Sequence, residues 1–235
     1  MFAALVAVAL SACAPAVAPQ GIYDPFEAQN RATHDLNLKL DTYIVRPLAN
    51  KATRILPDPV VQGVSNFAGN LELPGMVANN LLQAKVGPAL QNTLRFAVNS
   101  TVGIGGLFDP ATKMGAIAKD TDFGETLSVW GVGEGAYVEL PFYGPSTQRD
   151  AVGTIMDVVF DPARLFIPKE KRWVNTFAQI AARIGDRGRY SETIDSILYD
   201  SADGYAQARL FYLENRRHNL GQTTAESEFE DPYAQ

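Results

Sequence analysis

The stretch Leu10-Ser11-Ala12-Cys13 constrains this 235-residue chain more than any other part of it. It ends an apolar N-terminal run that begins at Phe2, and Cys13 is the only cysteine in the sequence. An apolar residue, two small residues and then a cysteine form the pattern at which bacterial lipoprotein signals are cut and the cysteine is lipidated. Because a lone cysteine allows no intramolecular disulfide, the fold has to be stabilised by packing.

The apolar run is predicted to be a signal peptide, residues 1–12, rather than a membrane-spanning anchor. A spanning helix needs about 20 apolar residues, whereas this run has the length of the apolar segment of a signal. No Lys or Arg precedes Cys13, so the basic start of such signals is missing and the true translation start stays open. An apolar N-terminal helix with an incidental cysteine is the alternative.

The two ends of the mature chain differ in composition from its body. Residues 13–22 are rich in Pro and Ala and are predicted to be a lipidated tether at Cys13. No Asp follows Cys13, and because an Asp there favours inner-membrane retention in enteric bacteria, we expect the outer membrane of a Gram-negative bacterium. Residues 221–235 are acidic and polar, and we expect them to be disordered.

Charge and hydropathy exclude several classes of partner. The net charge of -6 and the pI near 5.0 argue against nucleic acid, which favours basic patches. They also argue against binding driven by anionic lipid headgroups. Hydrophobic residues make up 46% of the chain, yet no run after the signal approaches spanning length. Deeper membrane contact would therefore need amphipathic helices that lie along the bilayer.

Five Asp-Pro steps divide the chain, and the first four are predicted to start helices. Asp can cap the free amides of a first turn, and Pro suits the first helical position. Glu27 lies three residues after Asp24, which completes a capping-box pattern. The steps are Asp24-Pro25, Asp58-Pro59, Asp109-Pro110, Asp161-Pro162 and, in the acidic tail, Asp231-Pro232.

Apolar spacing predicts a mostly helical fold. Pro47 is expected to bend or break the first helix, and residues 69–74 to join two helices into a hairpin. A short extended segment is expected at 137–140, and glycines are frequent between 103 and 144. The predicted helices cover residues 25–45, a short piece to 55, 59–67, 75–84, 88–98, 110–117, 123–130, 146–160, 169–184 and 190–218.

The predicted hairpin over 59–84 has an unusually apolar surface, which suits contact with lipid. The candidate membrane-facing residues are Val60, Val64, Phe67, Met76 and Leu81. Whether they face lipid or form the core is left open by the sequence.

No pattern of catalytic or metal-binding residues is present in the sequence. His34 and His218 lie far apart and without partners at ligand spacing, so neither a zinc site nor a cofactor is predicted. Ser146 is expected to cap a helix, and the carboxylates at Asp120, Asp122 and Glu125 suit a helix N-terminus. A glycosidase-type pair of carboxylates stays open, because such a pair has no fixed spacing in sequence.

Several sequence blocks, in order and over nearly the whole mature chain, resemble the MlaA (VacJ) family of outer-membrane lipoproteins. The resemblance fades after about residue 160. The blocks are Asp24-Pro25-Phe26-Glu27 with Asn30-Arg31; Tyr43-Ile44-Val45-Arg46-Pro47; Ser65-Asn66-Phe67 with Gly69-Asn70-Leu71; Asn79 with Leu82-Gln83; Arg95-Phe96 with Asn99-Ser100-Thr101, Gly103 and Gly105-Gly106; Phe123-Gly124-Glu125-Thr126-Leu127; Gly131-Val132-Gly133 with Gly135 and Tyr137; Leu140-Pro141-Phe142-Tyr143-Gly144-Pro145; and Arg149-Asp150.

This resemblance implies an all-α, ring-like single domain over 23–220 around an amphipathic channel, set in the periplasmic leaflet of the outer membrane. It implies removal of mislocalised phospholipids from the outer leaflet, transfer to a soluble periplasmic carrier, association with trimeric porins and no covalent chemistry. A lipid-tethered periplasmic hydrolase and a structural lipoprotein that only docks porins are the alternatives.

The glycine-rich segments are candidates for lining the channel, since glycine allows close approach of the backbone. Ordinary periplasmic loops are the alternative. The candidate lining residues are Gly103, Gly105, Gly106, Gly131, Gly133 and Gly135.

Overall fold

The computed structural model describes residues 22–165 and 167–222, and most of them are helical. The predicted signal, Cys13 and the tail beyond Gln222 lie outside the described residues. The helices are α1 (Glu27–Leu40), α2 (Arg46–Ile55), α3 (Asp58–Leu82), α4 (Val86–Thr101), α5 (Pro110–Lys113), α6 (Phe123–Val129), α7 (Gln148–Val159), α8 (Arg172–Arg189), α9 (Ser191–Leu198) and α10 (Gly204–Asn219). A π-helical turn (Asp41–Val45), two 3-10 turns (Pro162–Leu165 and Lys169–Lys171) and two strands, β1 (Tyr137–Leu140) and β2 (Gly144–Thr147), complete the description.

The mostly helical class is confirmed, with one small β-hairpin added to it. The extended segment predicted at 137–140 is β1, and it pairs antiparallel with β2, so that Tyr137 lies opposite Thr147 and Leu140 opposite Gly144. The second strand has no apolar alternation, because Gly144 and Pro145 occupy half of it. Its pairing therefore depends on the turn that brings it back to β1.

The packed elements form a closed circuit. From α1 the contacts pass to β1, to β2, to α7 and to α6, and then to α3, α8 and α2, which continues α1 through the π-helical turn. The apolar clusters along this circuit are small: Ala68, Ala178 and Ala182 form one between α3 and α8. Tyr137, Tyr205 and Leu213 form another between β1 and α10. The architecture is thus a ring of helices with small local cores.

The predicted helical hairpin over 59–84 is wrong, because α3 runs through the expected connector as one helix of 25 residues. Its interior contains Gly69, Pro74 and Gly75, which cost about 1 kcal/mol for each Gly and about 3 kcal/mol for Pro relative to Ala. The helix packs against α4 on one side and α8 on another, with Ala68 and Leu73 almost fully buried. Tertiary packing therefore outweighs local propensity along this segment.

Pro47 does not break the helical path as predicted. It lies in the first turn of α2, where a helix has no hydrogen bond for Pro to remove. The π-helical turn precedes it and is held at Asp41, whose carboxylate accepts hydrogen bonds of 2.9 and 2.8 Å from Arg187 and one of 2.8 Å from Tyr199. The wider π-helical turn thus accommodates Pro47, and the chain stays helical from 27 to 55.

Two of the four predicted Asp-Pro starts act as caps. Asp109 caps α5 by accepting a hydrogen bond of 3.1 Å from the Thr112 amide. Asp161 accepts one of 2.9 Å from the Ala163 amide at the start of a 3-10 turn, so this start is followed by four residues and no α-helix.

The other two starts are wrong as caps. Helix α1 begins at Glu27 with no side-chain cap, and the Asp24 carboxylate is held instead by Asn30, Tyr205 and Arg209. Asp58 is the first residue of α3 and caps nothing. In this arrangement the Asp24 carboxylate accepts three side-chain hydrogen bonds, and the one from Arg209 comes from a cation.

Two helix starts differ from the sequence-based prediction in the C-terminal half. Thr147, and not Ser146, caps α7, since its hydroxyl accepts from the Asp150 amide at 3.2 Å. The single helix predicted over 190–218 is two helices, because Asp203 caps α10 by accepting from the Ala206 amide at 3.1 Å. A side-chain cap inside a predicted helix favours a new start at that residue.

Candidate functional site

Helix α4 has its polar face buried and its apolar face exposed. The buried residues include Asn92, Arg95 and Asn99, and Asn92 is 0% exposed. The exposed face carries Val86, Leu90 and Leu94, with Leu90 65% exposed. A surface helix of a protein in water shows the opposite arrangement. The helix therefore suits an environment in which its outer surface meets hydrocarbon.

The buried polar face of α4 orders the long segment that follows it. Asn92 exchanges two hydrogen bonds with the Lys119 backbone, at 2.8 and 3.0 Å. Arg95 and Asn99 both donate to the Asp109 carboxylate, at 3.0 and 2.9 Å. Burial alone raises the pKa of Asp109, but the hydrogen bonds from Thr112, Asn99 and Arg95 lower it overall to about 2. These side chains thus fix the loop to the inner side of the helix.

Helix α7 repeats the inverted arrangement. Its buried residues are Arg149, Asp150 and Gly153, two of which are charged. Val152, Ile155 and Val159 are exposed at helical spacing.

The exposed apolar faces are joined through α3 and α6. Helix α3 packs against α4, and α6 packs against α7. The Trp130 indole at the end of α6 donates a hydrogen bond of 3.1 Å to the Leu82 carbonyl at the end of α3. We name the exposed apolar residues of these four packed elements the apolar belt, and they are Leu81, Leu82, Val86, Leu90, Leu94, Trp130, Val152, Ile155 and Val159.

The five candidate membrane-facing residues are split by the structure. Val60 and Leu81 are exposed, at 47% and 57%, and Leu81 belongs to the apolar belt. Val64, Phe67 and Met76 are half-buried, and Phe67 packs against the alanine cluster between α3 and α8. Contact with lipid stays a prediction for all five.

Most of the apolar belt was missed by reasoning from the sequence, although a signal for α4 is present there. Residues 86, 90 and 94 are apolar at four-residue spacing, and 92, 95 and 99 are polar on the opposite face. This pattern predicts an amphipathic helix but does not say which face is buried.

The glycine candidates fall into two groups. Gly103 and Gly106 are buried, and a side chain at Gly106 would meet the Asn70 Cβ atom at 2.5 Å with φ at +95°. Close packing therefore accounts for glycine at these two positions. Gly105, Gly131, Gly133 and Gly135 are exposed, and lining of a channel stays a prediction for them.

Arg216 of α10 joins α6 to α7. Its guanidinium contacts the Asp122 carboxylate at 2.7 Å and the Asp150 carboxylate at 2.8 Å, and Tyr212 donates to Asp150 at 2.8 Å. Burial raises the pKa of Asp150, but Arg216 more than offsets this and the pKa lies below its ordinary value. Asp122 also caps α6 at the Glu125 amide, 2.7 Å away, as the carboxylate pattern predicts.

Charged and aromatic groups are found on α3, on α8 and at the turn between β1 and β2. Glu72 is exposed in the middle of α3. The Arg183 guanidinium of α8 lies 4.9 Å from the centre of the Tyr143 ring at the turn between β1 and β2. Burial raises the pKa of Glu72, while the charge of Arg183 lowers it and those of Asp120 and Asp186 raise it.

The two histidines have different surroundings, since His34 is buried beside a carboxylate and His218 is exposed. His34 in α1 contacts Glu139 in β1 at 3.4 Å, and both are buried, whereas His218 lies in α10. Across residues 22–165 and 167–222, no three His, Cys, Asp or Glu side chains are placed to hold a metal ion. No described helix is both long and apolar enough for a membrane crossing.

A family model for the MlaA lipoprotein matches residues 22–219. The chain belongs to this family. Among MlaA relatives, the intermembrane phospholipid transport system lipoprotein MlaA of Shigella flexneri is 35% identical over 208 residues, which cover 86% of this chain and 79% of that protein. The protein of the same name from Escherichia coli K12 has the same identity and coverage.

The MlaA fold is also matched by a solved structure. This structure was reported under the heading "Structural basis for maintenance of bacterial outer membrane lipid asymmetry". The TM-score is 0.73 at 32% identity, and the match covers 84% of this chain and 98% of the other. The ring-like helical class that the sequence blocks imply is therefore confirmed.

Proposed function

We propose that this protein removes mislocalised phospholipids from the outer leaflet of the outer membrane and passes them to a soluble periplasmic carrier. The inverted burial of α4 carries the proposal, because apolar side chains face outward while Asn92, Arg95 and Asn99 are buried. The names of the MlaA relatives, which describe intermembrane phospholipid transport, support it. No step of this function requires a covalent reaction.

The apolar belt would place the ring within one leaflet. Leu, Val and Ile side chains on α4 and α7 gain free energy when they leave water for hydrocarbon, at about 25 cal/mol per Å². Trp130, at the edge of the belt beside Leu82, is of the residue type enriched where hydrocarbon meets water. The periplasmic leaflet is the proposed location, since a lipid on Cys13 would enter the membrane from the periplasm.

A polar passage through the ring lowers the barrier to lipid movement. A phospholipid headgroup pays a large desolvation penalty in hydrocarbon, because burying a charge without a partner is costly. Charged side chains such as Glu72 and Arg183, and the exposed Gly105, Gly131, Gly133 and Gly135, would give the headgroup a hydrated path. Trimeric porins and the soluble periplasmic carrier are the proposed partners of the protein at the two ends of this passage.

Membrane retention without the lipid anchor tests the apolar belt. In a Cys13→Ser background we expect the protein to need detergent, and adding Leu90→Asp should reduce its partition into membranes at least about tenfold. The reason is that an Asp within hydrocarbon costs about 2.5–3.5 kcal/mol. Sedimentation with vesicles measures the partition, and circular dichroism in detergent checks the fold.

Leu210→Asp on α10 is the matched control for that experiment, since Leu210 is 39% exposed and outside the apolar belt. It should leave partition unchanged. A Cys13→Ser protein that is monodisperse in plain buffer would contradict the embedded location and favour a tethered periplasmic domain.

Surface-exposed phospholipid in a deletion strain tests the function itself. We expect the deletion to raise the amount of phospholipid accessible from outside the cell, and the intact gene to restore the normal amount. An unchanged amount would refute lipid removal and favour a lipoprotein that only docks porins.

A further inference from the structure

A cavity of about 550 Å³ opens between the first turns of α3, the segment that follows α4, and α5. This volume lies within the range of about 300–1,000 Å³ that is typical of small-molecule sites. Its wall is mostly apolar and includes Pro59, Val102, Leu107, Phe108 and Pro110. Val102 and Phe108 are 70% and 61% exposed, so the cavity presents large apolar side chains to a ligand.

Hydrogen bonds hold the walls of this cavity in place. The Asn66 side chain of α3 donates to the Leu107 carbonyl at 3.2 Å, which joins α3 to the segment after α4. The Phe108 amide donates to the Gly103 carbonyl at 2.9 Å, which fixes the backbone beside the Phe108 ring. A cavity whose walls are fixed in advance loses little conformational freedom when a ligand binds.

The cavity has a net positive charge. Among the described residues that line it, Lys113 and Asp109 are charged. The Arg95 guanidinium is only 7% exposed, and it donates to the Asp109 carboxylate at 3.0 Å and to the Thr112 hydroxyl at 2.8 Å. Lys113 is exposed, and no hydrogen bond or ion pair to its ammonium is found in the part of the chain that the structure describes. Because Arg95 neutralises Asp109, the charge of Lys113 is left over.

We propose that this cavity binds a phospholipid with an anionic headgroup. The phosphate contacts the Lys113 ammonium, and an acyl chain covers Val102, Leu107 and Phe108. The inference deepens the proposed function and rests on it, because it takes a phospholipid as the ligand and adds the headgroup class and the residues that bind it. The net charge of -6 gives the whole chain no general attraction for anionic lipids, so the preference belongs to this site.

The lining residues give the direction of the preference. Burial of an acyl chain against apolar side chains adds binding free energy that a free phosphate ion cannot gain. The Asp109 carboxylate already accepts hydrogen bonds from Arg95 at 3.0 Å and from the Thr112 hydroxyl at 2.6 Å. The ammonium of phosphatidylethanolamine therefore finds no free carboxylate among the described lining residues. Phosphatidylglycerol has a net negative charge and no ammonium, so Lys113 favours it.

Native mass spectrometry of the full-length protein in mild detergent tests the site. Phosphatidylglycerol and phosphatidylethanolamine are added separately at equal concentrations, and we expect the unsubstituted protein to bind phosphatidylglycerol several times more tightly. Lys113→Gln should weaken binding of phosphatidylglycerol about tenfold, as expected for the loss of a hydrogen bond between charged groups, and should remove the difference between the two lipids. Lys113→Arg keeps the charge and should keep the preference.

A second variant tests the acyl contact. Phe108→Ser should weaken binding of both lipids without changing their order, because it removes apolar surface and no charge. Lys51→Gln is the matched control, since Lys51 is exposed on α2, lies outside the cavity and also has no ion pair among the described residues. It should change neither affinity, and circular dichroism in detergent should show the same fold for all variants.

Three results would overturn the lipid site. The first is binding of phosphatidylglycerol that Lys113→Gln leaves unchanged, and the second is displacement of the lipid by inorganic phosphate, which would indicate a site for small anions. The third is an unchanged lipid affinity together with loss of a co-purified porin, which would assign the cavity to a protein partner. Failure of the proposed function is observed separately, as an unchanged amount of surface-exposed phospholipid in the deletion strain.

Discussion

Replacing Asp150 with Ala is expected to lower the free energy of unfolding by about 3–5 kcal/mol. Asp150 is buried, and Arg216 donates to both of its oxygens, at 3.1 and 2.8 Å. Removing one partner of a buried ion pair is strongly destabilising, although here Arg216 would keep its contact with the partly exposed Asp122. Arg216 and the neighbouring Arg149 would both lose this partner. Chemical unfolding in detergent, followed by circular dichroism, measures the difference.

Asp200→Ala is the control for that measurement, since Asp200 is exposed and has no side-chain partner among the described residues. It should change stability by less than about 0.5 kcal/mol. A loss below about 1 kcal/mol for Asp150→Ala would contradict the stabilising role of the cluster.

The same cluster predicts sensitivity to acid. The pKa of Asp150 is lower in the folded state than in the unfolded chain, because Arg216 outweighs the effect of burial. Its contribution to stability is therefore present above the unfolded pKa of about 3.9 and is lost as the pH falls through the folded value. Asp150→Ala should flatten the fall in stability below about pH 4.

Gly153→Ala is expected to destabilise the protein by about 1–3 kcal/mol, the range typical of overpacking. In an exposed helix the same change stabilises by about 1 kcal/mol, so the expected sign is reversed. The reason is the close crossing of α6 and α7, where a Cβ atom on Gly153 would contact the Gly124 amide nitrogen and lie 2.7 Å from its Cα atom. Backbone cannot rotate away as a side chain can, so the helices have to separate.

The midpoint of thermal unfolding in detergent measures the effect of Gly153→Ala. Gly133→Ala is the matched control, because a Cβ atom there meets nothing within 4 Å and its φ lies outside the range from +20° to +160°. It should shift stability by less than about 0.5 kcal/mol. Equal stability of the two variants would show that α6 and α7 adjust without cost.

Both substitutions act at the junction that supports one side of the apolar belt. Helix α7 carries Val152, Ile155 and Val159 outward and Asp150 and Gly153 inward. The inner contacts therefore fix the orientation of the outer face. Separation of α6 from α7 would disturb the belt without any change to its own residues.

The sequence by itself determined the features that depend on near neighbours along the chain. Helix starts at Asp109 and Asp122 follow from carboxylates that accept from amides three residues later. The extended segment at 137–140, the helical class and the family could also be predicted from the sequence, because each depends on local pattern or on residue order.

Only the tertiary structure decided which face of each helix is buried and where helix propensity and capping patterns are overridden. Helix α3 continues through Gly69 and Pro74 because packing against α4 and α8 outweighs their local cost. The Asp24 carboxylate pairs with Arg209, 185 positions away in sequence, and does not cap the helix that follows it. The burial of Asn92 and exposure of Leu90 on α4 likewise depend on partners distant in sequence, since periodicity shows two faces and only packing distinguishes the inner from the outer.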